Sequence, residues 1–211
     1  MRSYGEYCSL AKALDVVGER WTLLIVRELA LRGACRYTDL RNGLPGIASN
    51  LLAHRLRELE KAGVITREDA PPPIATTLFR LTPRGEQLRP VLDDLMRWGL
   101  PLMNEQPADD AVQSHWLAGA LEVMLTDHRP DAPPVSLEVR TGDQPIVIEA
   151  RDGTIHSRVV SADAAAATLT GAPMPIMGLL LGFLDLAQAQ ERGVDYTGDL
   201  AILDRIRAET T

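Results

Sequence analysis

Several things are scarce in this sequence, and each scarcity excludes a class of protein. Two cysteines, Cys8 and Cys35, cannot build a disulfide framework. The four histidines, His54, His115, His128 and His156, fall in four separate segments without metal-ligand spacing or a nearby cysteine partner. The most apolar stretch, Pro175–Leu184, is far shorter than the roughly 20 residues a membrane-spanning helix needs. The opening MRSYGEYC carries no apolar run of the kind that directs secretion, so a cytoplasmic protein without a membrane partner is expected. No glycine-rich phosphate loop, nucleophile elbow or paired-carboxylate arrangement stands out, so no enzyme activity, metal or cofactor is expected.

Positive charge is also short overall, with a formal net charge of −7 and a pI near 5.1. Its distribution matters more than its sum. Residues 1–100 hold 15 Lys+Arg against 12 Asp+Glu, a net +3, whereas residues 101–211 hold 7 against 17, a net −10. Between Arg32 and Arg67 seven basic residues face three acidic ones, which is the local balance that phosphate contact requires.

What is abundant is apolar residues, 45% of the chain, enough for a sizeable core without disulfides. Their most regular arrangement is in Pro45–Gly63. Counted at about 100° per residue from Asn50, Leu52, Leu56 and Leu59 fall together at about 180–240°, and Asn50, His54, Arg57 and Lys61 within about 40° of zero. Ser49 is expected to cap this helix and Gly63 to end it. A helix docked by leucines that presents Asn, His, Arg and Lys suits a DNA major groove; an ordinary solvated helix face has the same pattern. Arg55, at about 140°, flanks the leucines and should support packing or phosphate contact rather than read bases.

The surroundings favour the groove reading. Tyr7–Val17, Trp21–Leu31 and Arg36–Asn42 read as three helical pieces, with Leu10, Ala13, Leu14 and Val17 on one side of the first. Trp21, Leu24, Ile25 and Leu29 recur at helical spacing in the second, which Gly33 ends. The short third piece, a Gly/Pro turn and the longer helix have a helix-turn-helix layout. Val64–Glu68 and Thr76–Leu81 then read as strands of a hairpin, with Pro71–Pro73 at its tip: a wing. Arg67, Arg80 and Arg84 are placed to reach phosphates. Thr82-Pro83 opens a further helix whose Leu88, Val91, Leu92, Leu95 and Trp98 form an apolar face, expected to be a dimer interface shared with the first helix.

The segments ALDVVGERWTLLIVREL, RYTDLRNGLPGIASNLLAHRLRELEKAGVI, LFRLTPRGEQLRPVL and RWG resemble the HxlR family of winged-helix transcriptional regulators over roughly residues 7–100. The resemblance implies a homodimer on an inverted-repeat operator in double-stranded DNA, with Ser49–Lys61 as recognition helix and the hairpin as wing. Its contact residues would be Arg36, Ser49, Asn50, Ala53, His54, Arg57, Lys61, Arg67 and Arg80. Where the family often has Ser, this chain has Ala48, and Ser49 is expected to take over the cap. Some family members sense oxidants or electrophiles through an N-terminal cysteine, which makes Cys8 a candidate redox residue and Cys35 a second; the alternative for Cys8 is a small buried packing residue.

Beyond the polar stretch Pro101–Gln113 the expected organisation is α+β. Ser114–Asp127 reads as a helix, and Val135–Arg140, Ile146–Ala150 and Thr154–Val160 as strands of an antiparallel meander with a hairpin at Asp152-Gly153. Asp163–Leu169, Met174–Gln190 and Asp199–Ala208 read as helices, with Asp163 and Asp199 as caps. VSLEVR, PIVIEARDGTIHSRV, SADAAAATLTG and LLLGFLDL resemble a sterol-carrier-protein-like domain, which implies a hydrophobic cavity between sheet and helices. Met174, Met177, Leu180, Leu181 and Leu184 are its candidate lining, or else simply core.

The expected layout is therefore a winged helix-turn-helix domain over 1–104, a linker over 105–113 and a smaller sheet-plus-helices domain over 114–211. The function expected is a homodimeric DNA-binding regulator modulated by a small hydrophobic ligand. The alternative is a lipid-like carrier whose first half serves to dimerise, which would account for the acidic net charge.

Overall fold

The computed structural model describes residues 3–70, 76–103, 110–160 and 165–208. It divides into two compact units, Met1–Trp98 and Gly99–Thr211. That division falls before the expected boundary at residue 104, and Leu100–Met103, which overlaps the start of the polar stretch Pro101–Gln113, forms a turn of 3-10 helix. Residue 104 and residues 105–109 of the expected linker lie outside the described residues.

The first unit runs α1 (Ser9–Val17), α2 (Thr22–Arg32), β1 (Cys35–Arg36), α3 (Tyr37–Asn42), α4 (Ser49–Lys61), β2 (Ile65–Asp69), β3 (Thr77–Leu81), α5 (Pro83–Glu86) and α6 (Arg89–Gly99). Leu52, Leu56 and Leu59 of α4 are buried against Ile25, Val26 and Leu29 of α2 and Leu40 of α3, in one cluster. Each such side chain contributes about 1.5–3 kcal/mol by leaving water, which is why the leucine stripe sets the roll of α4 about its axis. Trp21 and Leu24, expected on the buried stripe of α2, behave differently: Leu24 is exposed, and Trp21 is the half-buried residue before the helix.

Helix α4 ends in a Schellman turn. Gly63 takes a φ of 71°, its N–H donates to Glu60 O, and Val64 N–H donates to Leu59 O at 2.9 Å. Its start is not as expected. Ala48 is the N-cap and offers no side-chain bond, Ser49 is already helical, and Asn50 Oδ1 accepts from Leu51 N–H at 2.9 Å. A serine within the helix cannot offer its hydroxyl to the N–H groups two and three residues ahead as an N-cap does.

Strands β1, β3 and β2 form an antiparallel sheet in that order, with Ile65 opposite Leu81 and Cys35 opposite Phe79. Strand β1 is too short to show a sequence period and was not expected. Pro71–Pro73 of the expected tip lie outside the described residues. Thr82 caps α5, accepting from Gly85 N–H at 3.1 Å and donating to Gly63 O at 2.6 Å, so the hairpin's exit is tied to the end of α4. The single helix expected after Thr82 is broken between α5 and α6, where Pro90 lacks the N–H that a continuous helix would use.

The second unit comprises α7 (Ser114–Met124), β4 (Thr126–Asp127), β5 (Val135–Arg140), β6 (Ile146–Arg151), β7 (Thr154–Val159), β8 (Ala167–Thr170), α8 (Pro173–Leu180), α9 (Leu186–Glu191), β9 (Asp195–Gly198), α10 (Leu200–Arg205) and β10 (Ile206–Arg207). The five-stranded sheet has the order β7-β6-β5-β8-β9. Asp152 (φ 53°) and Gly153 (φ 75°) make the expected tight hairpin, both in the left-handed region.

Four expectations fail here. The end of the expected helix Asp163–Leu169 instead belongs to the strand Ala167–Thr170, parallel to β5, because Ala167 and Leu169 alternate into the core beside Leu137 and Val139; Asp163, its expected cap, lies outside the described residues. The sheet is therefore mixed rather than a pure antiparallel meander. Met174–Gln190 is two helices, broken at Gly182 (φ 78°) and restarted by an Asp185–Gln188 capping box. The helices expected to run through Asp127 and Ala208 stop early, because Thr126–Asp127 and Ile206–Arg207 pair with each other. Asp199 does cap α10, accepting from Ala201 N–H at 2.9 Å.

That last pair frames a buried ion pair. Arg205 donates from Nε and Nη2 to the two oxygens of Asp127 at 2.8 and 2.9 Å, and from Nη1 to Pro133 O at 2.6 Å. The guanidinium holds the Asp127 carboxyl below the usual carboxylate range, against the effect of burial.

Candidate nucleic-acid interface

The turn between α3 and α4 is held from three sides. Tyr37 OH donates to Ser49 O at 2.7 Å. A Cβ at Gly43 would come within 2.0 Å of Oε2 of the buried Glu28, so that position is closed to larger residues. A Cβ at Gly46, which has a φ of 86°, would stand 3.9 Å from Trp21 Cη2, placing the indole beside the turn.

On α4, Ser49, Asn50, His54, Arg57 and Lys61 are exposed and Ala53 is half-buried. Arg57 and Lys61 make no ion pair among the described residues. His54, Arg57, Glu58 and Lys61 share a cleft with Asp15 and Val16 of α1. His54 Nε2 stands 3.3 Å from Glu58 Oε1. Arg55 is largely buried and bonds Glu58 and, at 2.7 Å, Glu19; it packs within the protein and presents nothing to a phosphate. Although burial opposes it, the bond from Arg55 and the nearby cations hold the Glu58 carboxyl below its ordinary value.

Arg36 is the N-cap of α3, its N–H donating to Asp39 Oδ2 at 2.9 Å, and Arg84 is exposed in α5. Cross-strand register separates the wing arginines. Arg67, Phe79 and Cys35 share one row, so they point to one side, whereas Arg36 and Arg80 point to the other. Arg67 bonds Glu60 at 3.1 Å and Arg80 bonds Glu68 at 3.2 Å, so each must exchange an exposed partner to hold a phosphate.

A short helix, a pinned turn, a leucine-docked helix with a polar outer face, and a hairpin tied to its end are now in place. Residues 16–107 match the family model described as HxlR-like helix-turn-helix. The uncharacterized HTH-type transcriptional regulator YvaP of Bacillus subtilis is 36% identical over 87 residues, 41% of this chain and 80% of that relative. The chain belongs to the HxlR-like helix-turn-helix family. An uncharacterized HTH-type transcriptional regulator of Methanothermobacter thermautotrophicus is 34% identical over 92 residues, 44% of this chain and 70% of that relative. One from Mycobacterium tuberculosis is 41% identical over 91 residues, 43% of this chain and 56% of that relative.

The apolar side of α1 and part of α6 of this HxlR-like unit turn away from its core. Tyr7, Leu10 and Leu14 are exposed, as are Val91, Leu95 and Trp98, while Leu88 and Leu92 pack on the core.

The two thiols differ. Cys8 is exposed at the start of α1, not buried as the packing alternative held. The backbone N–H groups of Ala11 and Leu10 hold its pKa below the ordinary thiol value, although Cys8 makes no cap hydrogen bond. Cys35 is buried in β1, and burial pushes its pKa up to about 11, which removes it as a reactive candidate.

In the second unit Met174, Met177, Leu181 and Leu184 line a groove beside α8, together with Phe183 and Arg192. Leu180 does not line it: it is buried in the core with Ile176, Ala189 and Ile202. Leu137, Val139 and Ile148 of the sheet pack with Leu180, Ala189 and Ile202 of the helices in that one core.

The residues that sequence reasoning missed are Tyr37, Glu19 and Trp21. Tyr37 lies 12 positions from Ser49 and Glu19 lies 36 positions from Arg55, separations at which no periodicity speaks.

Proposed function

We propose that the chain is a sequence-specific, DNA-binding transcriptional regulator acting as a homodimer on an inverted repeat. The observation that carries this is the division of α4: three leucines wholly within the core, and Asn50, His54 and Arg57 in solvent between a pinned turn and a wing. Inserted in the major groove, Arg57 would read guanine and Asn50 adenine, with His54 between them. Arg36, Arg67, Arg80 and Lys61 would hold phosphates and set register. The outward apolar sides of α1 and α6 would join two copies, with half-sites about 34–36 Å apart.

The second unit would bind a small apolar molecule, as a sterol-carrier-like domain does. The groove formed by Met174, Met177, Leu181 and Leu184 favours this. Bound ligand would then bias dimer geometry, provided it prefers one of two states.

The test is an electrophoretic shift with the DNA upstream of the protein's own coding sequence at two salt concentrations. Sequence-preferring, salt-sensitive binding is expected. No shift at either salt would favour the carrier alternative.

A further inference from the structure

Arg20 stands in a loop whose neighbouring residues are both fixed to the frame of α4. Before it, Glu19 Oε2 accepts from Arg55 Nη2 at 2.7 Å. After it, Trp21 adopts a left-handed φ of 78°, a conformation that bulky L-residues rarely take, and its ring lies beside Gly46 in the turn entering α4. The Arg20 guanidinium sits over that ring, its Cζ 5.6 Å from the centroid.

A cation–π contact orients a guanidinium without using its N–H donors. Arg20 makes no ion pair among the described residues, and the carboxylate beside it, Glu19, bonds Arg55. It therefore offers a pre-oriented fork of the kind that matches a phosphate, whereas Arg67 and Arg80 are each engaged with a glutamate. The wing leaves α4 at its C-terminal end through Gly63, and the Trp21 ring lies beside the turn at its N-terminal end.

We infer that Arg20 is a DNA-phosphate contact held on the Trp21 platform, and that the Gly18–Trp21 loop clamps the backbone at the end of α4 opposite the wing. This rests on α4 being the recognition helix. Contacts at both ends would fix how far along the groove the helix sits, which one-ended contacts leave free.

The test uses the full chain with Arg20→Ala and Arg20→Lys. Affinity is measured for an operator fragment and for an unrelated duplex of equal length between 50 and 200 mM salt, alongside thermal melting. Arg20→Ala should weaken binding to both duplexes several-fold and reduce the slope of log affinity against log salt by about 1.8 per dimer, about 0.9 for each lost contact. Its melting temperature should match wild type, and Arg20→Lys should recover most of the slope. An unchanged slope in Arg20→Ala, with wild type binding normally, overturns this inference alone. Wild type that binds no duplex overturns both this inference and the reading of α4.

Discussion

Tyr37 OH and Ser49 O are 2.7 Å apart, a bond from the first residue of α3 to the first residue of α4. It joins the two helices of the helix-turn-helix across a six-residue turn whose last residue, the N-cap Ala48, has no side chain to cap α4. The start of α4 is thus held by a tertiary contact where a local one was expected.

Tyr37→Phe removes that bond and leaves the ring. Chemical denaturation should show a loss of about 0.5–1.5 kcal/mol. Operator affinity should fall by more than stability alone explains, because Asn50 lies next to the freed residue. Wild-type affinity in this variant would mean that the docked leucines alone position the helix.

Arg57→Ala and Arg80→Ala should separate reading from holding. Arg57→Ala is expected to cost about 1–3 kcal/mol on the operator and to relax preference at one base pair, as scored by a selection over randomised half-sites. Arg80→Ala should weaken operator and non-operator DNA alike and flatten the salt dependence. Unchanged operator affinity for Arg57→Ala would remove it from the reading face.

The Asp127–Arg205 pair should show in the acid limb of stability. The folded pKa of Asp127 lies below the 3.8 of the free side chain, so its contribution is present above that value and is lost as pH falls through the folded pKa. Urea unfolding should show stability falling below about pH 4, less steeply in Asp127→Asn. Arg205→Ala leaves the buried carboxylate without its cation, bonded by the Arg129 backbone N–H, and should cost about 3–5 kcal/mol at neutral pH.

The thiols should react in order. In native protein a thiol-selective alkylating agent should modify Cys8 readily, with the rate rising as pH approaches the ordinary thiol range. Cys35, buried and with a pKa of about 11, should react only after denaturant is added. Mass spectrometry of timed samples distinguishes them, and fast labelling of Cys35 in native protein would contradict its burial.

Local chemistry was enough to determine the helices α2 and α4, the Gly63 stop, the wing strands, the Asp152-Gly153 hairpin and the division of α4 into docking and outward faces. In each, the residues that decide the outcome lie within a turn or two of one another, where a period of 3.6 or 2 can be read. Tertiary structure decided what depends on distant partners. Ala167–Thr170 became a strand because an edge of β5 was open to it. Arg55 turned inward because Glu19, 36 residues away, meets it. Leu10 and Leu14 of α1 and Val91, Leu95 and Trp98 of α6 were left outward, because the core was already filled by α2, α3 and α4. An apolar stripe states that a face seeks burial; only the packed fold states whether its own core has room for it.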